Sequence, residues 1–272
     1  MVAFPNCKIN LGLRITEKRH DGFHNLESVF LPLPWYDALE IIESNALKIS
    51  ATGIPVPGDS QNNLCIKAWH LLKKDFPALP PVSIYLHKTI PTGAGLGGGS
   101  SNGAFMLRLL NEKFALGIPD KQLSDYALQL GSDCPFFMYN KPALAMGRGE
   151  ILEPVTLDLK GFYIVLINPG IHVPTGWAFN QIIPALPENH PGKIMKSPPA
   201  LWSGLGLKND FEARVLEAYP EIASVKQMLI QAGALYASMT GTGSTCYGIF
   251  NTEPVMDFNT LPGHYMLKKL KL

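Results

Sequence analysis

Residues 91–103 read PTGAGLGGGSSNG, with five glycines in the seven positions from 93 to 99. Backbone without Cβ atoms can bend around a ligand, and its amides can reach phosphate oxygens unobstructed. A helix is predicted next, over 101–114, where Phe105, Leu109 and Leu110 fall on one apolar face. Its N-terminus adds the positive end of a helix dipole to the same place. A strand is predicted just before, over 82–87, with Val82, Ile84 and Leu86 alternating against Ser83, Tyr85 and His87. Strand, glycine loop and helix in that order describe an anion site.

Three other readings of the loop can be weighed on the same residues. Gly93, Gly95 and Gly98 satisfy GxGxxG, but the segment some twenty residues on, 114–120, offers no strand ending in an acidic residue to hold a ribose. A Walker A loop is excluded because no GK[ST] follows. A flexible linker rarely runs from a patterned strand straight into an amphipathic helix.

Outward from the loop, period-two patterning marks residues 7–15 as a strand: Cys7, Ile9, Leu11, Leu13 and Ile15 alternate with Lys8, Asn10, Gly12 and Arg14. Lys8 and Asn10 then share one face. A second strand is predicted over about 37–49, and a helix over 63–74, capped by the polar residues 61–63. KQLSDYALQLGSDCPFF, from residue 121, predicts a helix to Leu130 ended by Gly131, then a loop presenting Asp133. Residues 162–168 read as a central strand, and 169–202, rich in Pro, Gly and Trp, as a mobile or substrate-covering region. A helix over 215–232 precedes ASMTGTGSTCYGIF, a loop leading into a strand over 245–250, and the basic tail LKKLKL reads as a solvated terminal strand. With no internal repeat, the mixture argues for an α+β or α/β protein of two lobes, 1–150 and 151–272.

Composition limits the functions open to the chain. At 272 residues and 46% hydrophobic it can build a sizeable core, and 23 Lys plus Arg against 22 Asp plus Glu leave no basic field for nucleic acid or an anionic membrane. Phosphate affinity is therefore local, and the partner expected is a small molecule. Cys7, Cys65, Cys134 and Cys246 form no CxxC pair and read as buried free thiols of a reducing cytoplasm. Lys8 interrupts any apolar signal core, and the longest apolar run, 162–167, is too short to span a bilayer.

PTGAGLGGGSS resembles the second motif of the GHMP kinases, PNCKINLGLRI (5–15) the first, and MTGTGSTCYGIF (239–250) the third, a glycine turn that packs beside the second. Further stretches, RHDGFHNLESVF (19–30), NNLCIKA (62–68), GSDCPFF (131–137), GRGE (147–150), PGIHVPT (169–175) and NDFE (209–212), resemble the branch of that family acting on a cytidylyl acceptor. The third motif departs from the commoner SGSGSA by carrying threonines, which keep the hydroxyls. The resemblance implies an α+β, two-lobed GHMP kinase fold, with an N-terminal ribosomal-protein-S5-like lobe and a C-terminal ferredoxin-like lobe. It implies ATP as co-substrate, Mg²⁺, and phosphorylation of the 2-hydroxyl of 4-diphosphocytidyl-2-C-methyl-D-erythritol by a monomer or weak homodimer.

Asp133 is the candidate base, and the resemblance sets Lys8 against it, where a cation keeps the carboxylate ionised and stabilises charge on the attacking oxygen. GSD is also ordinary helix-capping chemistry, and Lys8 alone is compatible with a surface strand lysine. The resemblance carries Asn10 over as a polar positioner, assigns the cytidine end to Phe23 and His24 with Phe179 as an opposite wall, and places Thr175 beside the acceptor. His24 is equally a turn residue after Asp21 and Gly22. For ATP it implies Asn63, Leu64, Lys88, Pro91, Gly93, Ala94, Gly95, Leu96, Gly97, Gly98, Gly99, Ser100 and Ser101, with Gly241 and Gly243 letting the third motif approach. Helix cap, strand end and N-cap are the plain alternatives for Asn63, Lys88 and the serines. A GHMP kinase for a smaller alcohol and a catalytically silent sensor are the rival functions.

Overall fold

The computed structural model describes residues 1–255 and 261–272. In chain order come β1 (Val2–Ala3), β2 (Asn6–Lys18), β3 (His24–Tyr36), β4 (Ala38–Glu43), β5 (Lys48–Gly53), α1 (Leu64–Asp75), β6 (Val82–Lys88), α2 (Gly98–Lys113), α3 (Asp120–Leu130) and α4 (Cys134–Tyr139). There follow β7 (Ala143–Met146), β8 (Ile151–Pro154), β9 (Tyr163–Asn168), α5 (Thr175–Asn180), α6 (Pro191–Ile194) and α7 (Pro199–Trp202). The last are α8 (Glu212–Ala218), α9 (Pro220–Gln231), β10 (Tyr236–Met239), β11 (Cys246–Phe250) and β12 (Met266–Lys271).

The chain forms two compact units interleaved in sequence, residues 1–8, 34–92 and 97–141 in the first and 9–33, 93–96 and 142–272 in the second. A boundary near residue 150 corresponds only to the last crossing, at 141/142, because nothing linker-like marks the crossings inside β2, β3 or the glycine loop.

In the first unit the sheet order is β1-β4-β6-β5, with β4 antiparallel and β5 parallel to β6. A parallel pair needs a crossover, and α1 provides it between β5 and β6. The strand expected over 37–49 is in fact two, β4 and β5, on opposite sides of β6. Ser44 turns the chain between them, its Oγ donating to the Ala46 carbonyl at 2.7 Å. Leu39, Ile41, Ile84 and Leu86 bury one face, and α1 and α2 supply Ile66, Trp69, Leu72, Met106, Leu107 and Leu110. The two helices cross at Gly103, where a Cβ would lie 2.9 Å from that of Leu64.

The second unit contains the sheet β10-β11-β9-β12, antiparallel throughout, and residues of the sheet β2-β3-β7-β8. The terminal strand expected of the basic tail is β12, at the edge beside β9. Val165, Ile167, Cys246 and Phe250 pack with Phe211, which precedes α8, and with Val215, Ile222, Val225 and Leu229 from α8 and α9. The helix predicted over 215–232 is broken into these two at Pro220, which has no N–H to continue the ladder and instead opens α9. The region over 169–202, which showed little regular signal, contains the short helices α5, α6 and α7.

Candidate active site

Lys8 and Asp133 meet in the first unit. The central residues of β2 are buried on both faces, so the polar face of the alternation points inward: Lys8 is 4% exposed, which rules out the surface-lysine alternative. Its Nζ lies 3.4 Å from Asp133 Oδ2, and the Asp133 side chain retains about one third of its exposure. Asp133 occupies the position before α4 but makes no capping hydrogen bond, so its carboxylate is not a helix cap. Gly97 adopts φ +68°, and a Cβ there would fall 3.2 Å from Lys8 Cε and 3.0 Å from Phe137 Cζ. The bend of the glycine loop thus rests directly on the lysine stem.

Gly97 also precedes α2, whose N-terminus has no side-chain cap. The first amides of α2 are among the orphan donors that a helix presents to an anion. Ser101 is fully buried and its Oγ has no partner. Ser100 hydrogen-bonds the Cys134 thiol, which burial pushes up to about 12. Loop residues Pro91, Ala94 and Leu96 are buried anchors, with Gly93, Gly95, Gly97 and Gly99 more open between them.

Beside this helix end lies a cavity of about 380 Å³, walled by Ile49, Ala51, Val56, Leu64 and Leu86, with Asn63, Lys88, Gly99 and Asn102 as part of its lining. Apolar walls with a few convergent polar groups suit a heteroaromatic base. Asn63 caps α1, its Oδ1 accepting from Cys65 N–H at 2.9 Å, and lines the cavity as well. Lys88 is no exposed strand end: it is buried, and its ammonium is held by Asp37 and Asn102. Neither Asp37 nor Asn102 stands out in the sequence, because an acid 51 residues from its lysine leaves no local signal.

In the second unit the third motif packs on the glycine loop. The Thr240 hydroxyl lies 2.9 Å from the Gly95 carbonyl and 3.2 Å from Asn10 Oδ1, and accepts from Asn10 N–H at 3.0 Å. A Cβ on Gly95 would sit 1.9 Å from the Thr240 carbonyl oxygen, and one on Gly241 3.0 Å from Gly95 Cα. A Cβ on Gly243, at φ +95°, would press on Met239 Sδ at 2.7 Å. Asn10, expected to position substrate, directs its Nδ2 to Ser28 Oγ at 2.9 Å and its Oδ1 to Thr240, so its amide joins β2 to the third motif. Asn209 of NDFE has a similar part that the sequence did not disclose: its Nδ2 donates to the Met239 and Gly241 carbonyls, both at 2.8 Å.

The residues expected at the cytidine end arrange differently from a sandwich. His24 and Phe179 stack on each other, centroids 5.0 Å apart, which leaves no gap for a base between them. A base would stack on an outer face of this pair. Burial lowers the His24 pKa below 6.5, with Lys18 adding to the shift. Phe23 is half-exposed, and the Arg148 guanidinium of GRGE lies 4.8 Å from its ring centroid. Thr175 opens α5 with its Oγ1 3.5 Å from that of Thr242.

Among the described residues no group of three or more His, Cys, Asp or Glu is placed to hold a metal ion. Nor is any helix long and apolar enough to cross a membrane.

Comparison with known proteins shows the family. Residues 63–141 match the GHMP kinases N terminal domain and residues 182–257 the GHMP kinases C terminal domain. The 4-diphosphocytidyl-2-C-methyl-D-erythritol kinase of Bacteroides fragilis is 50% identical over 257 residues, 93% of each chain. That of Cytophaga hutchinsonii is 47% identical over 255 residues, 93% of this chain and 94% of the relative. A crystal structure of 4-(cytidine 5'-diphospho)-2C-methyl-D-erythritol kinase superposes with a TM-score of 0.77 at 30% identity, covering 91% of this chain and 89% of the other. With the three glycine and lysine motifs in place and identity at this level over almost the whole length, the chain belongs to the 4-diphosphocytidyl-2-C-methyl-D-erythritol kinases of the GHMP kinase family.

Proposed function

We propose that this kinase transfers the γ-phosphoryl group of ATP to the 2-hydroxyl of 4-diphosphocytidyl-2-C-methyl-D-erythritol, a step of the non-mevalonate route to isoprenoid precursors. The observation that carries the chemistry is the Lys8–Asp133 pair lying against the bend of the glycine loop at Gly97. Asp133 takes the hydroxyl proton as the oxygen attacks the γ-phosphorus, the new O–P bond forms, and the bond to the β–γ bridging oxygen breaks to release ADP. Lys8 offsets charge on the attacking oxygen.

ATP takes the cavity of the first unit with its base, against Asn63, Leu64 and Lys88, and directs its phosphates to the amides from Gly97 to Ser101. Mg²⁺ suits a site where the nucleotide phosphates and water supply most ligands: no acidic cage is present among the described residues, and the Ser101 hydroxyl offers one protein oxygen. Bound there, the ion neutralises phosphate charge. His24 and Phe179 hold the cytosine on an outer ring face, with Phe23 beside Arg148 and Thr175 near the acceptor hydroxyl. The enzyme works on small molecules in the cytoplasm, as a monomer or weak homodimer, without nucleic acid or membrane. Phosphorus NMR of a reaction with Mg²⁺, ATP and the cytidylyl acceptor tests this reading. A new phosphomonoester resonance appearing with ADP supports it, and ADP formed with inorganic phosphate alone counts against it.

A further inference from the structure

Beneath the cavity assigned to ATP lies an ion pair removed from water. Asp37 and Lys88 are each 1% exposed. Asp37 Oδ2 accepts from Lys88 Nζ and from Asn102 Nδ2, the latter at 2.9 Å, while Oδ1 accepts from the N–H groups of Thr89 at 2.8 Å and Ile90 at 2.9 Å. One carboxylate therefore gathers the end of β6, the chain leading to the glycine loop, and the first turns of α2. Lys88 Nζ also donates to Asn102 Oδ1 at 3.0 Å, and a Cβ on Gly98 would lie 3.3 Å from that nitrogen, so the ammonium abuts the start of α2. An ammonium has three N–H bonds. Two are fixed within the cluster, and Lys88 and Asn102 both line the cavity.

Taking two charges out of water is costly, and an apolar pair of similar volume is often no less stable. The same sheet buries Leu39, Ile41, Ile84 and Leu86 without charge. Stability alone does not account for an ammonium at this point.

We propose that Asp37 is a positioning residue for ATP. It fixes the rotation of Lys88 so that the third N–H donates to an acceptor atom of the nucleotide. This inference rests on the reading of the cavity as the ATP site.

Asp37→Asn keeps the side-chain volume and removes the charge. Steady-state kinetics is expected to show the KM for ATP rising about tenfold or more while the KM for the acceptor stays within about twofold. In a Lys88→Met background the same substitution is expected to add less than about twofold, because the residue acts through the lysine. An ATP KM within about twofold of wild type, a parallel rise of both KM values, or a full additional loss in the Lys88→Met background would overturn the proposal. Should Asp37→Asn not fold, Asn102→Ala, which removes the other acceptor of Lys88, is held to the same thresholds in both backgrounds. The wild-type protein tests the cavity separately: failure to saturate with ATP removes the nucleotide site itself, whereas an unchanged ATP KM in the variant of an ATP-saturable enzyme removes only the role of Asp37.

Discussion

Lys8 illustrates what a single residue can and cannot disclose. Its alternation with Cys7 and Ile9 marked a strand face, but not whether that face met solvent; burial of both faces of β2 turned it inward to Asp133. The pairing was reached only through family resemblance, since two residues so distant in sequence carry no local sign of contact. Asp133→Ala is predicted to lower turnover about 10²–10⁴-fold, the range for a positioned acid–base group, while ATP affinity measured by titration stays within a few fold. A variant that keeps turnover would remove Asp133 from the role of base. His24 makes a second test by pH. Burial lowers its folded pKa below 6.5, so its contribution to stability is complete above that value and is lost as pH falls through the lowered folded value. Between pH 7 and 5 the unfolding midpoint of the wild type should therefore fall more than that of His24→Gln, as followed by thermal denaturation. Equal slopes would show that His24 does not contribute.

At the scale of elements, the glycine loop was the most legible feature because its requirement is local: backbone at positive φ and no Cβ. Gly95 shows why. At φ +77°, with the Thr240 carbonyl oxygen 1.9 Å from where a Cβ would be, Gly95→Ala is predicted to destabilise by about 2 kcal/mol or more in a denaturant titration. Thr240→Val, which removes the hydroxyl shared by Gly95 and Asn10, should cost about 1–3 kcal/mol, since two buried polar groups lose a partner. An unchanged midpoint for either would mean that the third motif does not brace the loop. β3 has no counterpart in the sequence reading; its ladder with β7 runs only over Ser28–Phe30, and Pro32 and Pro34 lie past its end. The division between α8 and α9 was legible in principle, since Pro220 states it, but the apolar period continues across the break and masks it.

For the whole molecule, the order of strands, loops and helices was readable where apolar periodicity was strong, and the interleaving of the two units was not. A chain that crosses between units inside regular strands leaves no change of composition to mark the place. The thiols are a global check. All four cysteines are buried thiols outside any disulfide, and burial pushes Cys65 and Cys134 up to about 12, so the native protein should not react rapidly with an aromatic disulfide reagent at neutral pH, whereas the denatured chain should titrate four thiols. Rapid modification of the native state would contradict the packing of the cores. The central claim, a kinase selective for a cytidylyl acceptor, is tested most directly by ADP release from the purified protein with Mg²⁺ and ATP, comparing 4-diphosphocytidyl-2-C-methyl-D-erythritol with homoserine, mevalonate and galactose. Turnover confined to the cytidylyl substrate is the predicted result, and turnover with one of the smaller alcohols in its place would contradict it.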